Sequence, residues 1–156
     1  MSTVKQKDIL NLSRKVSHDY HILETIKAGI VLDGWMVKSL RQNKVSTSGI
    51  PFVRPQNTEM FLYGLTIKPL SETNSFSETN TTPVLKLLLN RREIDKLIGA
   101  EERQGHTVVV TRIYFEGHLV KVDIALAKGK QNRDKRADIK ERDDKRSMAR
   151  ATKLAR

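Results

Sequence analysis

The 156-residue chain contains no cysteine, only 5% aromatic residues and no long apolar run. The absence of cysteine excludes a disulfide scaffold, an iron–sulfur cluster, a thiol nucleophile and a cysteine-based zinc site. No apolar stretch approaches the ~20 residues of a transmembrane helix, and the first eight residues lack the apolar stretch of a signal peptide. Together these absences predict a soluble, cytoplasmic protein.

Positive charge, by contrast, is in excess. Lysine and arginine number 29 against 18 aspartate and glutamate residues, which gives a net charge of +11 and a pI of about 10.0. Residues 128–156 carry 12 basic and 5 acidic side chains, a net charge of +7, whereas residues 1–127 carry +4. Such a charge on a small protein favours a polyanionic partner, most often a nucleic acid. Charge kept for solubility alone is the alternative.

The basic segment 128–156 differs from the rest of the chain in apolar content as well. Its only large apolar residues are Ile139, Met148 and Leu154, too few to offset the entropy lost on ordering. We therefore predict a folded body over 1–127, with a mobile arm at 1–17, and a tail over 128–156 that is disordered alone. The tail lacks proline and is rich in helix-forming residues, so we expect it to become helical when bound; a permanently solvated helix is the alternative.

Hydrophobic periodicity in the body predicts a mainly β protein with about six short strands. Two to three helices are expected beside them, the clearest beginning at the N-cap Asn90 and ending near Gly105. The best-defined element is a hairpin over 107–127, whose second strand alternates apolar and polar residues and should have one buried and one solvated face, the latter comprising Lys121, Asp123 and Ala125. An OB-like, partly open barrel fits this pattern, although another α+β sheet is equally allowed.

The four histidines give little support to catalysis or metal binding. His18 and His21 point to opposite faces if they lie on a strand, and no carboxylate cluster would complete a metal site. His106 and His118 bracket a predicted strand and could imitate the acid–base pair of a ribonuclease, which keeps an enzyme open as an alternative. No nucleotide-binding glycine-rich loop or nucleophile elbow is present. We predict no enzymatic activity, no metal and no cofactor.

Several short segments form a combination that chance rarely produces. They are SHDY at 17–20, AGI at 28–30, GWMVKSLR at 34–41, KLLLNRREI at 86–94, YF at 114–115, and AKGK at 127–130 with DKR at 134–136. Their order and spacing resemble the SmpB family, the SsrA-binding proteins of bacteria, over nearly the whole chain.

This resemblance implies an OB-type barrel with flanking helices and a basic C-terminal tail. Members of the family bind the tRNA-like end of transfer-messenger RNA (tmRNA). With elongation factor Tu they help to deliver it to ribosomes stalled without a codon in the decoding site. The tail enters the empty messenger channel and becomes helical there. This is trans-translation, in which the factor itself performs no chemistry.

The resemblance also implies which residues contact RNA. In the body these are His18, Tyr20, Lys27, Leu88, Asn90 and Lys121, with His18 near the decoding site; core packing is the alternative for Leu88. In the tail they are Lys128, Gly129, Lys130, Arg133, Asp134, Lys135 and Arg136. The cations are expected to neutralise phosphates along the channel, and Asp134 to cap or orient a helix.

The chain departs from the family pattern at three positions. Lys27 and Met36 stand where the family usually has glutamate, and Gln131 stands where it has a second lysine after Gly-Lys. Exchanging a carboxylate for an ammonium replaces an acceptor by a donor. We therefore expect altered recognition of the RNA. The alternative is a general RNA- or ribosome-binding barrel protein with weakened tmRNA specificity.

Overall fold

The computed structural model describes residues 6–70 and 81–154, and within them the chain forms nine strands and four helices. The strands are β1 (Gln6–Asn11), β2 (Tyr20–Ile30), β3 (Val45–Ser46), β4 (Phe52–Gln56), β5 (Glu59–Tyr63), β6 (Thr66–Ile67), β7 (Leu85–Leu88), β8 (Thr107–Glu116) and β9 (Leu119–Gly129). The helices are α1 (Ser13–Asp19), α2 (Gly34–Arg41), α3 (Arg91–Gln104) and α4 (Asn132–Leu154).

Six antiparallel strands form a barrel in the order β8-β4-β5-β7-β2-β9, and pairing between β9 and β8 closes the ring. Two seams are short. The β2–β7 seam has only the pairs Gly29↔Leu88 and Ile30↔Leu87, and the β4–β8 seam is equally brief. Strand β1 pairs with β8 outside the ring, and β3 and β6 form a separate two-stranded sheet. The predicted mainly β, partly open barrel is therefore confirmed.

The barrel encloses one large apolar core, which α2 and α3 cover. Leu62, Leu87 and Ile124 are fully or almost fully buried inside it, and Leu97 of α3 is 0% exposed. The bounds of α3 follow local signals. Asn90 and Glu93 form a capping box at its start, and Gly105 ends it in the left-handed conformation with φ 62°, which a glycine adopts without strain.

Strand β1 and most of helix α1 lie within the predicted arm at 1–17, where the sequence pattern does not indicate them. The helix is short, and Val16 is its only buried residue, so a helical periodicity cannot develop. Residues 1–5 lie outside the described residues, and the mobility of the arm stays a prediction.

The predicted solvated face of β9 is wrong at two positions. Asp123 is 9% exposed and Ala125 is 0% exposed. Ala125 packs in a second apolar cluster with Val16 of α1, and the Asp123 carboxylate is held by Arg112 of β8. Around these two residues the outer face of β9 is covered, because α1 packs on Ala125 and Asp8 of β1 lies 3.5 Å from Arg112, in a layer that the hairpin pattern does not anticipate.

Candidate nucleic-acid interface

Three of the expected RNA-binding side chains come from distant parts of the sequence and lie on three neighbouring strands. Lys121 of β9 is directly opposite Gly29 of β2, and Gly29 is directly opposite Leu88 of β7. Opposed residues of an antiparallel pair point to the same face of the sheet, as do residues two apart on one strand. Lys27 therefore shares this face. We call Lys27, Leu88 and Lys121 the barrel-face patch.

Gly29 leaves room at the centre of the barrel-face patch. A Cβ at this position would lie 3.4 Å from both Cβ and Cδ1 of Leu88, so the leucine lies against the glycine backbone. Leu88 is 55% exposed, which excludes the core-packing alternative. An exposed apolar side chain flanked by two lysines can contact a sugar or base while the ammonium groups neutralise phosphates.

A buried polar network lies beside Lys27 on the same face of the sheet. Asp123 is opposite Lys27 on one side and Arg112 on the other. Nε and Nη2 of Arg112 both lie 3.1 Å from Asp123 Oδ2, and the Tyr114 hydroxyl donates to Asp123 Oδ1 at 3.2 Å. The Arg112 guanidinium also lies 4.2 Å from the centre of the Tyr114 ring. Burial, followed by the Asp123 carboxylate, raises the pKa of the Tyr114 hydroxyl.

This network was missed by sequence reasoning, although Arg112 and Tyr114 alternate on β8 as residues of one face do. Arg112 and Tyr114 engage the Asp123 carboxylate, so this carboxylate has partners other than Lys27, which lies opposite it on β2. Lys27 is exposed, and within residues 6–70 and 81–154 no ion pair to its ammonium is found. The charge at position 27 is therefore presented to solvent.

Asn90 lies just beyond Leu88 and has a structural task in the capping box. Its backbone N–H donates to Glu93 Oε2 at 2.9 Å, and its side chain accepts from the backbone of Glu93.

Met36 is 7% exposed and belongs to the core, so an apolar residue suits that position of α2. Gln131 is exposed between β9 and α4.

The remaining expected residues gather at the other end of β2. Tyr20 is opposite Gly129 of β9, and His18 lies two residues earlier, in the last turn of α1. Tyr20 and Gly29 are nine positions apart on β2, a distance of about 30 Å along the strand. The chain thus has two candidate surfaces, the barrel-face patch and a corner where α1, β2 and α4 meet.

Ion pairs join α4 to this corner. Lys135 Nζ lies 3.0 Å from Asp19 Oδ1, and His18 Nδ1 lies 3.0 Å from the same oxygen. These two hydrogen bonds, that of Lys135 foremost, lower the pKa of the Asp19 carboxyl below its usual 3.8. Asp134 Oδ2 accepts from the backbone N–H of Gln131 at 3.3 Å, which is a cap at the start of α4. Lys128, Arg133 and Arg136 are exposed.

The structure separates the two histidines of the ribonuclease alternative. His106 precedes β8 and His118 follows it, so about 30 Å of strand lies between them; they cannot act as a pair.

Among the described residues, no group of three or more histidine, aspartate or glutamate side chains could hold a metal ion. No helix in that part of the chain is long and apolar enough to span a membrane.

A small, partly open barrel with cations on one face and a basic helix at its edge defines a β-barrel protein of the nucleic-acid-binding class. Comparison with known proteins identifies the family. The model of the SmpB protein family matches residues 10–154, and the chain belongs to that family.

Known relatives match over almost their whole length. The SsrA-binding protein of Pseudoalteromonas atlantica is 44% identical over 156 residues, with 98% of each chain covered. That of Caldanaerobacter subterraneus subsp. tengcongensis is 46% identical over 149 residues, covering 95% of this chain and 93% of the relative. A chain from the structure described as "tmRNA-SmpB: a journey to the center of the bacterial ribosome" superposes with a TM-score of 0.58 at 37% identity, covering 84% of this chain and 87% of that one.

Proposed function

We propose that the protein is a trans-translation factor. Its barrel-face patch binds the tRNA-like domain of tmRNA, and its C-terminal helix enters the vacant messenger channel of a stalled ribosome. Delivery together with elongation factor Tu, in the cytoplasm, belongs to the same proposal. The factor binds and positions RNA and carries out no reaction of its own.

The observation that supports this proposal is the register of three strands. Lys27, Leu88 and Lys121 lie 33 to 94 residues apart in sequence, yet they share one face in two adjoining rows of the β7–β2–β9 sheet. The corner that carries α4 lies about 30 Å away along β2. One molecule can therefore hold an RNA on its barrel face while its helix occupies a second site.

A salt-resolved binding titration tests the role of the barrel face. The probes are the tRNA-like domain of the host's tmRNA and an ordinary tRNA of similar length. We expect a preference of tenfold or more for the former, about 1.4 kcal/mol. Leu88→Ala should reduce this preference, because an apolar contact adds shape recognition. Lys121→Ala should weaken binding of both RNAs and lower the salt slope by about 1.

The matched control is Lys68→Ala, which removes an exposed lysine outside the barrel-face patch and should leave the preference intact. Equal binding of both RNAs, with a steep salt dependence, would contradict the proposal and favour a general RNA-binding barrel protein. In that case the phosphate backbone alone would be recognised.

Lys27 stands where the family usually has glutamate, so the RNA contact at this position must differ from that of other members. Since the Lys27 ammonium is exposed beside Lys121, we propose that it contacts a phosphate. Lys27→Glu should then lower the affinity for the cognate RNA, because the repulsion replaces an attraction. A gain in affinity would mean that the lysine has damaged a contact which glutamate makes.

A further inference from the structure

A pocket of about 220 Å³ lies beside the barrel-face patch. Val31 and Val84, at its edge, are each 49% exposed, so apolar surface there is in contact with solvent. The volume is below the roughly 300–1,000 Å³ of pockets that take drug-sized ligands, and it therefore suits a single flat ring system. We call this the side pocket; the lining residues that matter here are Val31, Asp33, Met36, Phe61, Val84 and Lys86.

Strand β7 connects the side pocket to the barrel-face patch. Lys86 lies two residues before Leu88 on β7, so the two side chains share one face of the sheet, about 7 Å apart along the strand. Just beyond β2, the Val31 backbone N–H donates to the Lys86 carbonyl at 3.0 Å, and Phe61 of β5 is directly opposite Lys86. A nucleotide next to one that contacts Leu88 can therefore enter the side pocket.

The Asp33 carboxylate gives the side pocket hydrogen-bond acceptors. Asp33 is the N-cap residue of α2, yet among the described residues its side chain accepts no capping hydrogen bond, although an aspartate at this position usually does. An ionised carboxylate offers two acceptor oxygens and no donor. Guanine presents two adjacent donors, N1–H and the N2 amino group, on the base edge that single-stranded RNA exposes. A carboxylate can accept both at once.

Met36 and Phe61 make the side pocket suitable for an uncharged ring. Met36 is 7% exposed and lies in the first turn of α2, at a position where the family usually has glutamate. A glutamate there would add a second carboxylate near Asp33, whereas a methionine thioether packs favourably against an aromatic ring. Phe61 is half-buried, and aromatic side chains of this kind stack on unpaired bases.

Arg54 is the cation best placed for the phosphate of an inserted nucleotide. Lys86 Nζ lies 2.6 Å from Glu59 Oε1, so the charge of Lys86 is already matched. Arg54 is exposed and directly opposite Phe61, and its guanidinium lies 5.2 Å from the centre of the Phe52 ring. This cation–π contact holds the guanidinium at the outer face of the sheet, where it can bind a phosphate through charge-assisted hydrogen bonds.

We propose that the side pocket binds one unstacked guanine of a single-stranded RNA segment. Phe61 stacks on the base, Asp33 accepts hydrogen bonds from N1–H and the N2 amino group, and Arg54 neutralises the adjoining phosphate. That this guanine belongs to tmRNA rests on the proposed function; the chemistry of the side pocket does not.

Methionine methyl NMR of the full chain tests whether a base enters. The chain has four methionines, and a carbon-13 methyl label places a reporter at Met36, assigned through Met36→Leu. The probe is the pentanucleotide UUGUU at low salt. It should shift the Met36 methyl signal through the ring current of the inserted base, while the signal of Met60, which is 0% exposed in the core, stays unchanged. An unmoved Met36 signal at saturating UUGUU would overturn the proposal.

Affinities for related pentanucleotides test the selection of guanine. UUGUU should bind about tenfold more tightly than UUAUU, as expected for a bidentate contact to a base. UUIUU should lie between them, because inosine lacks the N2 amino group. Asp33→Asn should remove most of the preference, whereas the matched control Asp95→Asn, which changes an exposed carboxylate of α3, should retain it. Equal binding of UUGUU and UUAUU, or an undiminished preference in Asp33→Asn, would refute the assignment.

A substitution at the exposed edge of the side pocket tests its location. Val31→Trp should occlude the pocket and abolish the Met36 shift. Leu119→Trp is the matched control, because Leu119 is 63% exposed at the start of β9, and it should leave the shift intact. An unchanged Met60 signal verifies that each variant is folded. A Met36 shift that survives Val31→Trp would contradict insertion of the base. None of these results depends on the preference for tmRNA over tRNA, so the proposed function and this inference can fail separately.

Discussion

Replacing Arg112 by methionine should destabilise the barrel, because it leaves the Asp123 carboxylate buried with one partner fewer. Two guanidinium N–H groups lie 3.1 Å from this carboxylate, and the Asp123 side chain is 13% exposed. Breaking a fully buried ion pair costs about 3–5 kcal/mol. Arg112 itself is 26% exposed, so water can replace part of the interaction, and we expect a loss of about 2–3 kcal/mol. For a chain of this size that corresponds to a fall in Tm of about 6–10 °C.

Urea unfolding followed by circular dichroism measures this loss. The midpoint should fall while the slope of the free energy of unfolding against urea stays constant. Arg91→Met is the matched control, since Arg91 pairs with Asp95 at 3.1 Å with both side chains more than half exposed; it should cost no more than about 0.5 kcal/mol. Adding Asp123→Leu to Arg112→Met should recover much of the stability, because no unpaired charge remains. A loss for Arg112→Met no larger than that of Arg91→Met would refute this reasoning.

Further predictions concern the alkaline, core, capping and acid behaviour of the fold. Since the pKa of Tyr114 is raised above 10.0, its contribution to stability is complete below pH 10.0 and is lost as the pH rises through the folded value. Absorbance titration should detect a late-ionising tyrosine that Tyr114→Phe removes; simultaneous ionisation of all tyrosines would contradict this. Leu97→Ala should cost about 2–5 kcal/mol in urea unfolding because it leaves a cavity in the core, and a loss below about 1 kcal/mol would mean that α3 repacks. Asn90→Ala should cost about 1 kcal/mol by the same assay, and an unchanged midpoint would show that the cap is dispensable. The pKa of Asp19 is lowered below 3.8, so its contribution is present above pH 3.8 and is lost as the pH falls through the folded value. Carbon-13 NMR of the Asp19 carboxyl should therefore show a titration midpoint below pH 3.8, and a midpoint at or above pH 3.8 would contradict this.

Elements with local signals were predictable from the sequence. Helix α3 has its capping residues and its left-handed glycine within one short segment. The β8–β9 hairpin has a glycine turn, Gly117 with φ 62°, between two apolar runs. In both, the residues that decide the structure are close in sequence, so the pattern contains the necessary information.

The layer formed by β1 and α1 lacked such a signal. Gln6–Asn11 is a largely polar strand that gains stability by pairing with β8, more than a hundred residues later in sequence. Helix α1 buries only Val16. The burial of Asp123 and Ala125 followed from this layer and could not be anticipated without it.

The candidate site was found by resemblance rather than by pattern. Periodicity placed Lys121 on an accessible face, but its proximity to Leu88 depends on the two register pairs of the β2–β7 seam. Likewise, Asp19 and Lys135 are separated by 116 residues. The strand register at this seam and the contact between Asp19 and Lys135 are set by the whole fold, so they cannot be predicted from a single sequence.

The brevity of the β2–β7 seam makes the barrel-face patch sensitive to strand register. Only the pairs Gly29↔Leu88 and Ile30↔Leu87 join these two strands. A slip of one residue at this seam would turn Leu88 to the opposite face of the sheet. The proximity of Leu88 to Lys121 is therefore decided by two backbone pairs rather than by any contact between the two side chains.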